Sequence, residues 1–341
     1  MRRLTLAITP LLLATLAVGC SRAAVDGPAD PPGETPAWGE GYILADDGYR
    51  LPYRRWGPEH DDSADAVVLA LHGLNDYSRG MRFAAEHLAE GGVATYAYDH
   101  RGFGETGDAG TWPGGQALID DAATAVELLA ERYPDTPLYL MGHSMGGAIA
   151  MILVAEQSPE AITGTALLAP AVWGREAMPW YQRTGLWLSS RLTPGLRLSG
   201  EDLGVDPTDN PEVLEEWRED PLIQREVSAR ALAGVTDLMD RALEASEQLD
   251  SRALILYGEQ DEVIPPEPTC LMLHRLPQRP PGQWRLALYP EGHHLLTRDL
   301  QRDRVHADLL AWLQDPEGAR LPSSHEVGHR EGLSRLCGHR D

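Results

Sequence analysis

The chain has 341 residues, with 29 Lys and Arg against 52 Asp and Glu and a formal net charge of -23. With no basic cluster beyond isolated arginines, that balance argues against nucleic acid as a partner and against electrostatic binding to anionic headgroups. Apolar residues make up 43% of the chain, enough for one large domain, and no internal repeat is evident.

The N-terminus opens with Arg2 and Arg3 and an apolar run over residues 4–18. That run is shorter than the ~20 apolar residues a membrane span needs. It ends in Leu16-Ala17-Val18-Gly19-Cys20, which resembles a bacterial lipobox. The resemblance implies that residues 1–20 are a lipoprotein signal peptide. Lipidated Cys20 would then hold the protein at a cell-envelope membrane. An ordinary secretory signal, giving a secreted or periplasmic protein, is the alternative. Residues 21–37, rich in Pro, Gly, Ala and Asp, read as a flexible tether.

The main domain is expected over residues 38–314. Segments 40–44 and 49–56 flank Asp47-Gly48 and read as an antiparallel hairpin. Apolar runs at 66–71, 93–98, 137–141, 165–168, 253–257 and 285–289 read as strands. Helical patterns at 80–89, 116–132, 146–157, 267–276 and 301–314 alternate with them. This alternation predicts an α/β fold, a mostly parallel sheet with helices on both faces. The alternation breaks over residues 170–246, which read as a cap inserted above the active face. Trp173, Trp180 and Trp187 recur there every seventh residue. They read as a stripe packing the cap onto the body, or as the lining of an acyl channel.

Gly142-His143-Ser144-Met145-Gly146 lies between a predicted strand and a glycine-opened helix. In that context G-x-S-x-G is a turn that lifts a serine hydroxyl clear of the sheet, so Ser144 is the candidate nucleophile. A serine needs a histidine base, and the histidine a carboxylate to fix its tautomer. In this chain order the acid follows a late strand. Tyr257-Gly258-Glu259-Gln260-Asp261, with Pro265 beyond, points to Asp261 over its neighbours Glu259 and Glu262. The base follows the last strand, where His293 and His294 are adjacent. Two backbone donors for an oxyanion are expected at Met145 and at Leu74, in the loop His72-Gly73-Leu74-Asn75. His72 itself reads as a structural histidine within that turn.

Together Leu71-His72-Gly73, Asp99-His100-Arg101-Gly102-Phe103-Gly104, Gly142-His143-Ser144-Met145-Gly146-Gly147, Gly258-x-x-Asp261 and His294-Leu295-Leu296 resemble the α/β-hydrolases of the monoacylglycerol lipase and lysophospholipase group. The resemblance covers roughly residues 38–313. It implies a serine hydrolase that cleaves carboxylic esters of single-chain lipids through an acyl-enzyme, with no metal or organic cofactor. It also selects His294 as the base, because that family places an aromatic, here replaced by His293, immediately before it. Relatives on this fold include aminopeptidases. That alternative needs cap carboxylates to hold a substrate ammonium, but Glu215, Glu216, Glu219 and Asp220 read as a solvated helix face. A non-catalytic surface-binding lipoprotein is the alternative from another class. Oligomeric state is not legible.

Two further features stand apart from the site. With Cys20 assigned to lipidation, an exported protein could pair Cys270 with Cys337, but Cys270 falls in an apolar helical pattern and reads as a buried free thiol. His325-Glu326-Val327-Gly328-His329 matches H-E-x-x-H, but it falls in residues 315–341, which read as a disordered tail without the helix and third ligand that zinc catalysis requires.

Overall fold

The computed structural model describes residues 35–199, 205–249, 251–277, 284–318 and 320–338. The proposed signal peptide, Cys20 and nearly all of the tether lie outside the described residues. Among those described, no helix is long and apolar enough to cross a membrane.

In chain order the strands are β1 (Ala37–Trp38), β2 (Tyr42–Leu44), β3 (Arg50–Trp56), β4 (Ala66–Leu71), β5 (Val93–Tyr98), β6 (Leu138–His143), β7 (Ile162–Leu168), β8 (Arg197–Ser199), β9 (Glu226–Ser228), β10 (Ala253–Gly258), β11 (Trp284–Tyr289) and β12 (Glu326–Val327). The α-helices are α1 (Arg82–Glu90), α2 (Gly115–Arg132), α3 (Met145–Gln157), α4 (Trp180–Leu192), α5 (Pro211–Glu219), α6 (Ala229–Ala245), α7 (Pro266–Arg275), α8 (Arg302–Gln314) and α9 (His329–Leu336).

The main sheet has ten strands in the order β1-β2-β3-β5-β4-β6-β7-β10-β11-β12. From β5 to β11 every neighbour is parallel, whereas β3 and β12 join their neighbours antiparallel. Parallel strands buried on both faces should read as continuous apolar runs, and β4 (AVVLAL) does so, buried throughout. Alternate side chains feed two cores. Leu69, Leu140 and Ile255 meet α2, α3 and α6 on one face. Val68, Met141 and Leu256 meet α1 and α8 on the other, around the fully buried Trp312. Helix α3 is buried from Met145 to Val154. Each large side chain it buries there contributes about 1.5–3 kcal/mol.

Three expectations need correction. The described part of the 315–341 tail is not a disordered extension: β12 pairs with β11, Leu321 and Leu336 are buried, and the Glu326 carboxylate accepts twice from Arg285 at 2.8 Å. Few apolar residues suffice because the segment finishes an existing sheet edge. Cys270 is not a free thiol but is disulfide-bonded to Cys337. Docking of α9 against α7 brings their Cα atoms to 5.2 Å, inside the range a disulfide spans. The bridge closes a loop of 67 residues, a constraint worth about 4 kcal/mol in the chain-entropy model.

The cap is also smaller than residues 170–246. Its last helix, α6, buries Val235, Leu238, Met239, Ala242 and Leu243 in the main core and packs on α3. Of the three tryptophans, only Trp173 packs against that core. Trp180 and Trp187 on α4 are 75% and 54% exposed, so they do not pin the cap to the body.

Candidate active site

The turn after β6 forces Ser144 to φ 52°, ψ -114°, a region unfavourable for a residue with a side chain. Two glycines make it possible. A Cβ on Gly142 would strike the Gly146 carbonyl, and one on Gly146 would strike the Leu71 carbonyl. Ser144 is then fixed by its N–H donating to Leu168 O at 3.0 Å and its carbonyl accepting from Ala171 N–H at 2.9 Å. Met145 opens α3, so its N–H has no carbonyl of the preceding turn to bond.

The loop after β4 lies directly against this turn: a Cβ on Gly73 would sit 3.3 Å from Ser144 Cβ. The Leu74 N–H follows immediately. His72 is fully buried and shapes this loop. Its Nδ1–H donates to Gly73 O at 2.8 Å, and its Nε2 accepts the His100 N–H at 2.9 Å. Burial holds the His72 and His100 imidazoles below the usual range, so both are neutral packing groups. The D-H-R-G-F-G motif is likewise structural. Asp99 accepts from the N–H groups of Ser78 and Glu105, and Arg101 donates to both oxygens of Asp121 at 2.7 Å.

Asp261 and His294 meet as expected. His294 Nδ1–H donates to Asp261 Oδ2 at 2.8 Å, which directs Nε2 away from the carboxylate. Asp261 Oδ1 accepts the N–H groups of Val263 (2.9 Å) and Ile264 (2.8 Å), so the buried carboxylate is fixed from both ends. Backbone bonds stitch the acid and base loops together, Gln260 N–H to Gly292 O and Glu259 N–H to Tyr289 O, both 2.9 Å. The serine and histidine loops are joined through His143, whose Nε2–H donates to His294 O at 3.0 Å. Its imidazole is held well below the usual range by burial and by the neighbouring His294. His293 points elsewhere, to an open cleft lined neither by Ser144 nor by His294.

Sequence reading missed the residues that lock these loops to the cap. Arg298, buried just past the base, pairs with Asp76, donates its Nε–H to Gly80 O at 2.9 Å, and stacks over Trp217. Asn210 Nδ2–H donates to Arg298 O at 2.9 Å, and Leu295 N–H to Pro207 O at 2.8 Å. Gln224 N–H reaches Asn75 O at 3.0 Å on the opposite side. The cap thus touches both the Leu74 loop and the His294 loop. A charged pair, Arg298-Asp299, inside an apolar turn was the available signal.

The cap acids are not all solvated. Asp220 accepts from Tyr77 Oη at 2.6 Å and pairs with Arg79, and Glu216 pairs with Arg82 at 3.5 Å. In the H-E-x-x-H segment His325 precedes β12, Glu326 is in β12 and His329 opens α9, so the three do not share a helix.

A strained serine after the central strand, a buried Asp–His pair on two later loops and a mixed sheet in this order define an α/β-hydrolase. Residues 62–301 match the family described as serine aminopeptidase, S33, and the chain belongs to that family. Monoacylglycerol lipase of Mycolicibacterium smegmatis is 26% identical over 78% of this chain and 93% of its own length. Human monoglyceride lipase is 26% identical over 80% of this chain and 89% of its own. Among solved structures, a monoacylglycerol lipase from Paleococcus ferrophilus superposes with a TM-score of 0.65 at 25% identity, covering 78% of this chain and 99% of that one. The chain falls in the monoacylglycerol lipase-like group of the α/β-hydrolases.

Proposed function

We propose that the protein hydrolyses esters of single-chain lipids, monoacylglycerols or lysophospholipids, with Ser144 as nucleophile, His294 as base and Asp261 as its orienting acid. The enzyme is a carboxylic ester hydrolase. His294 Nε2 takes the Ser144 proton as Oγ attacks the ester carbonyl, and the N–H groups of Met145 and Leu74 hold the oxyanion. His294 then protonates the leaving alcohol, and water, deprotonated by the same imidazole, releases the fatty acid from the acyl-enzyme.

The observation that carries the lipid reading is the apolar face of α4. Trp180, Tyr181, Trp187, Leu188 and Leu192 all stand exposed on one cap helix, and no residue of that helix is buried. Exposed apolar patches of this kind mark a surface that meets apolar material. The two lipase relatives support the same substrate class. An aminopeptidase on this scaffold is disfavoured, because Asp220, the most buried of the four cap acids, is engaged by Tyr77 and Arg79, and the other three are exposed.

Ester and amide chromogens tested side by side, followed by an acyl-length series of monoacylglycerols and lysophospholipids, check this. Esters are expected to turn over and amides not, with long acyl chains preferred. Trp180→Ala and Trp187→Ala should lower long-chain turnover by about three- to thirtyfold while short soluble esters are spared. Equal losses at every chain length would contradict a role for α4 in meeting lipid.

We further propose that the enzyme is exported and held at a membrane through lipidated Cys20. The Cys270–Cys337 disulfide supports an oxidising compartment. Because the acidic body gains nothing from anionic headgroups, the anchor and α4 would supply the attraction. Cys20→Ala should shift the protein to the soluble fraction or leave an uncleaved precursor; unchanged partition together with unchanged N-terminal processing would refute the anchor.

A further inference from the structure

Beside the base loop lies an open cleft of about 760 Å³ lined by Asp209, Gln260, Glu291, His293, Asp303 and Arg304, among others. Asp209 comes from the cap and His293 from the base loop. Behind them Asp299 is fully buried. One ligand-type atom from each of Asp209, His293 and Asp299 lies within 4.8 Å of the other two. Donor atoms around one first-row cation, at ~2.0–2.2 Å from it, are separated by roughly 3–4 Å, so small side-chain rotations close the set.

Among the described residues, none of the three groups forms a close ion pair with an arginine. Asp299 Oδ2 accepts the His293 N–H at 2.7 Å and Oδ1 the Thr208 hydroxyl at 2.6 Å, yet among the described residues no arginine forms an ion pair with it. Burial pushes its carboxyl above the usual range. Among the described residues, Asp209 accepts only the Leu300 N–H, at 2.8 Å. His293 Nδ1 is shielded from solvent and has no hydrogen-bond partner among the described residues. Arg304 is the single arginine on the cleft lining, against Asp209, Glu291 and Asp303. A buried carboxylate, a second carboxylate at the cleft and an unpartnered imidazole nitrogen shielded behind the cleft wall make a donor set for a cation.

We propose that Asp209, His293 and Asp299 bind one divalent cation of the zinc class, which clamps the cap onto the loop carrying His294. The imidazole in the set favours a transition metal over Ca²⁺, which takes oxygen ligands. Remaining coordination positions open to the cleft and would hold water. The site lies outside the hydrolytic machinery, so its role is to stabilise the cap–base junction already built by Thr208, Asn210 and Pro207.

The test uses oxidised, chelator-stripped enzyme without an affinity tag, so that Cys270 and Cys337 remain paired and offer no thiolate. Equilibrium dialysis with Zn²⁺ should show one equivalent bound, with a rise in Tm because the cation binds the folded state. His293→Ala and Asp209→Asn should each weaken Zn²⁺ binding at least about tenfold and remove the Tm rise. Both positions lie at the cleft rim, so the metal-free variants are expected to melt within a few degrees of the parent. His325→Gln serves as a control and should bind Zn²⁺ like the parent. No stoichiometric binding, Ca²⁺ binding as tightly as Zn²⁺, or loss of binding only in His325→Gln would each overturn the proposal.

Discussion

Ser144→Ala is expected to lower ester hydrolysis by about four to six orders of magnitude with no measurable loss of stability. Alanine keeps the Cβ of serine, so the cost of holding φ at 52° is the same in both proteins. The backbone bonds of residue 144 to Leu168 and Ala171 are also kept. Only Oγ is removed. A fall in rate with an unchanged Tm therefore isolates chemistry from folding. The parent should also be labelled by a fluorophosphonate and the variant should not. Activity above about a tenth of the parent's in Ser144→Ala would remove this serine from the mechanism. An unlabelled, inactive parent would instead favour the non-catalytic lipoprotein.

The central strands were legible because parallel, doubly buried strands need uninterrupted apolar runs: β4 and β5 fall at the expected residues. Ser144, Asp261 and the His293-His294 pair were legible because each sits at the C-terminal end of such a strand, where the fold presents its chemistry. What stayed hidden depended on contacts distant in sequence. The pairing of Cys270 with Cys337 requires α9 to dock on α7, and nothing local to Cys270 reports that. The fate of Trp180 and Trp187 was equally illegible, since a seven-residue spacing says which residues share a helix face and not what that face meets. Helix α6 was mistaken for cap because it follows the insertion directly, yet its amphipathic face belongs to the main core. Arg298 was missed because its partners come from two segments distant from it in sequence, Asp76 and Gly80 in the loop after β4 and Trp217 in the cap.

The choice between the two adjacent histidines is the sharper test of the relay. His294 is buried and donates to Asp261, whereas the His293 side chain faces the cleft. Only the backbone N–H of His293 is used within the loop, donating to Asp299, and any residue but proline supplies it. His294→Ala should therefore lose about four or more orders of magnitude in kcat. It should also melt lower, because Asp261 Oδ2 is left buried without its donor, a loss of about 1–3 kcal/mol. The His143 bond survives, since it is made to the backbone carbonyl of residue 294. Measured in the presence of chelator, His293→Tyr should lose less than about tenfold, because a ring of similar shape refills the cleft rim while the loop backbone is unchanged. If His293→Tyr proves the more damaging of the two, the base assignment moves by one residue. The Ser144 result would stand regardless, because the nucleophile is set by the turn after β6 and not by the loop after β11.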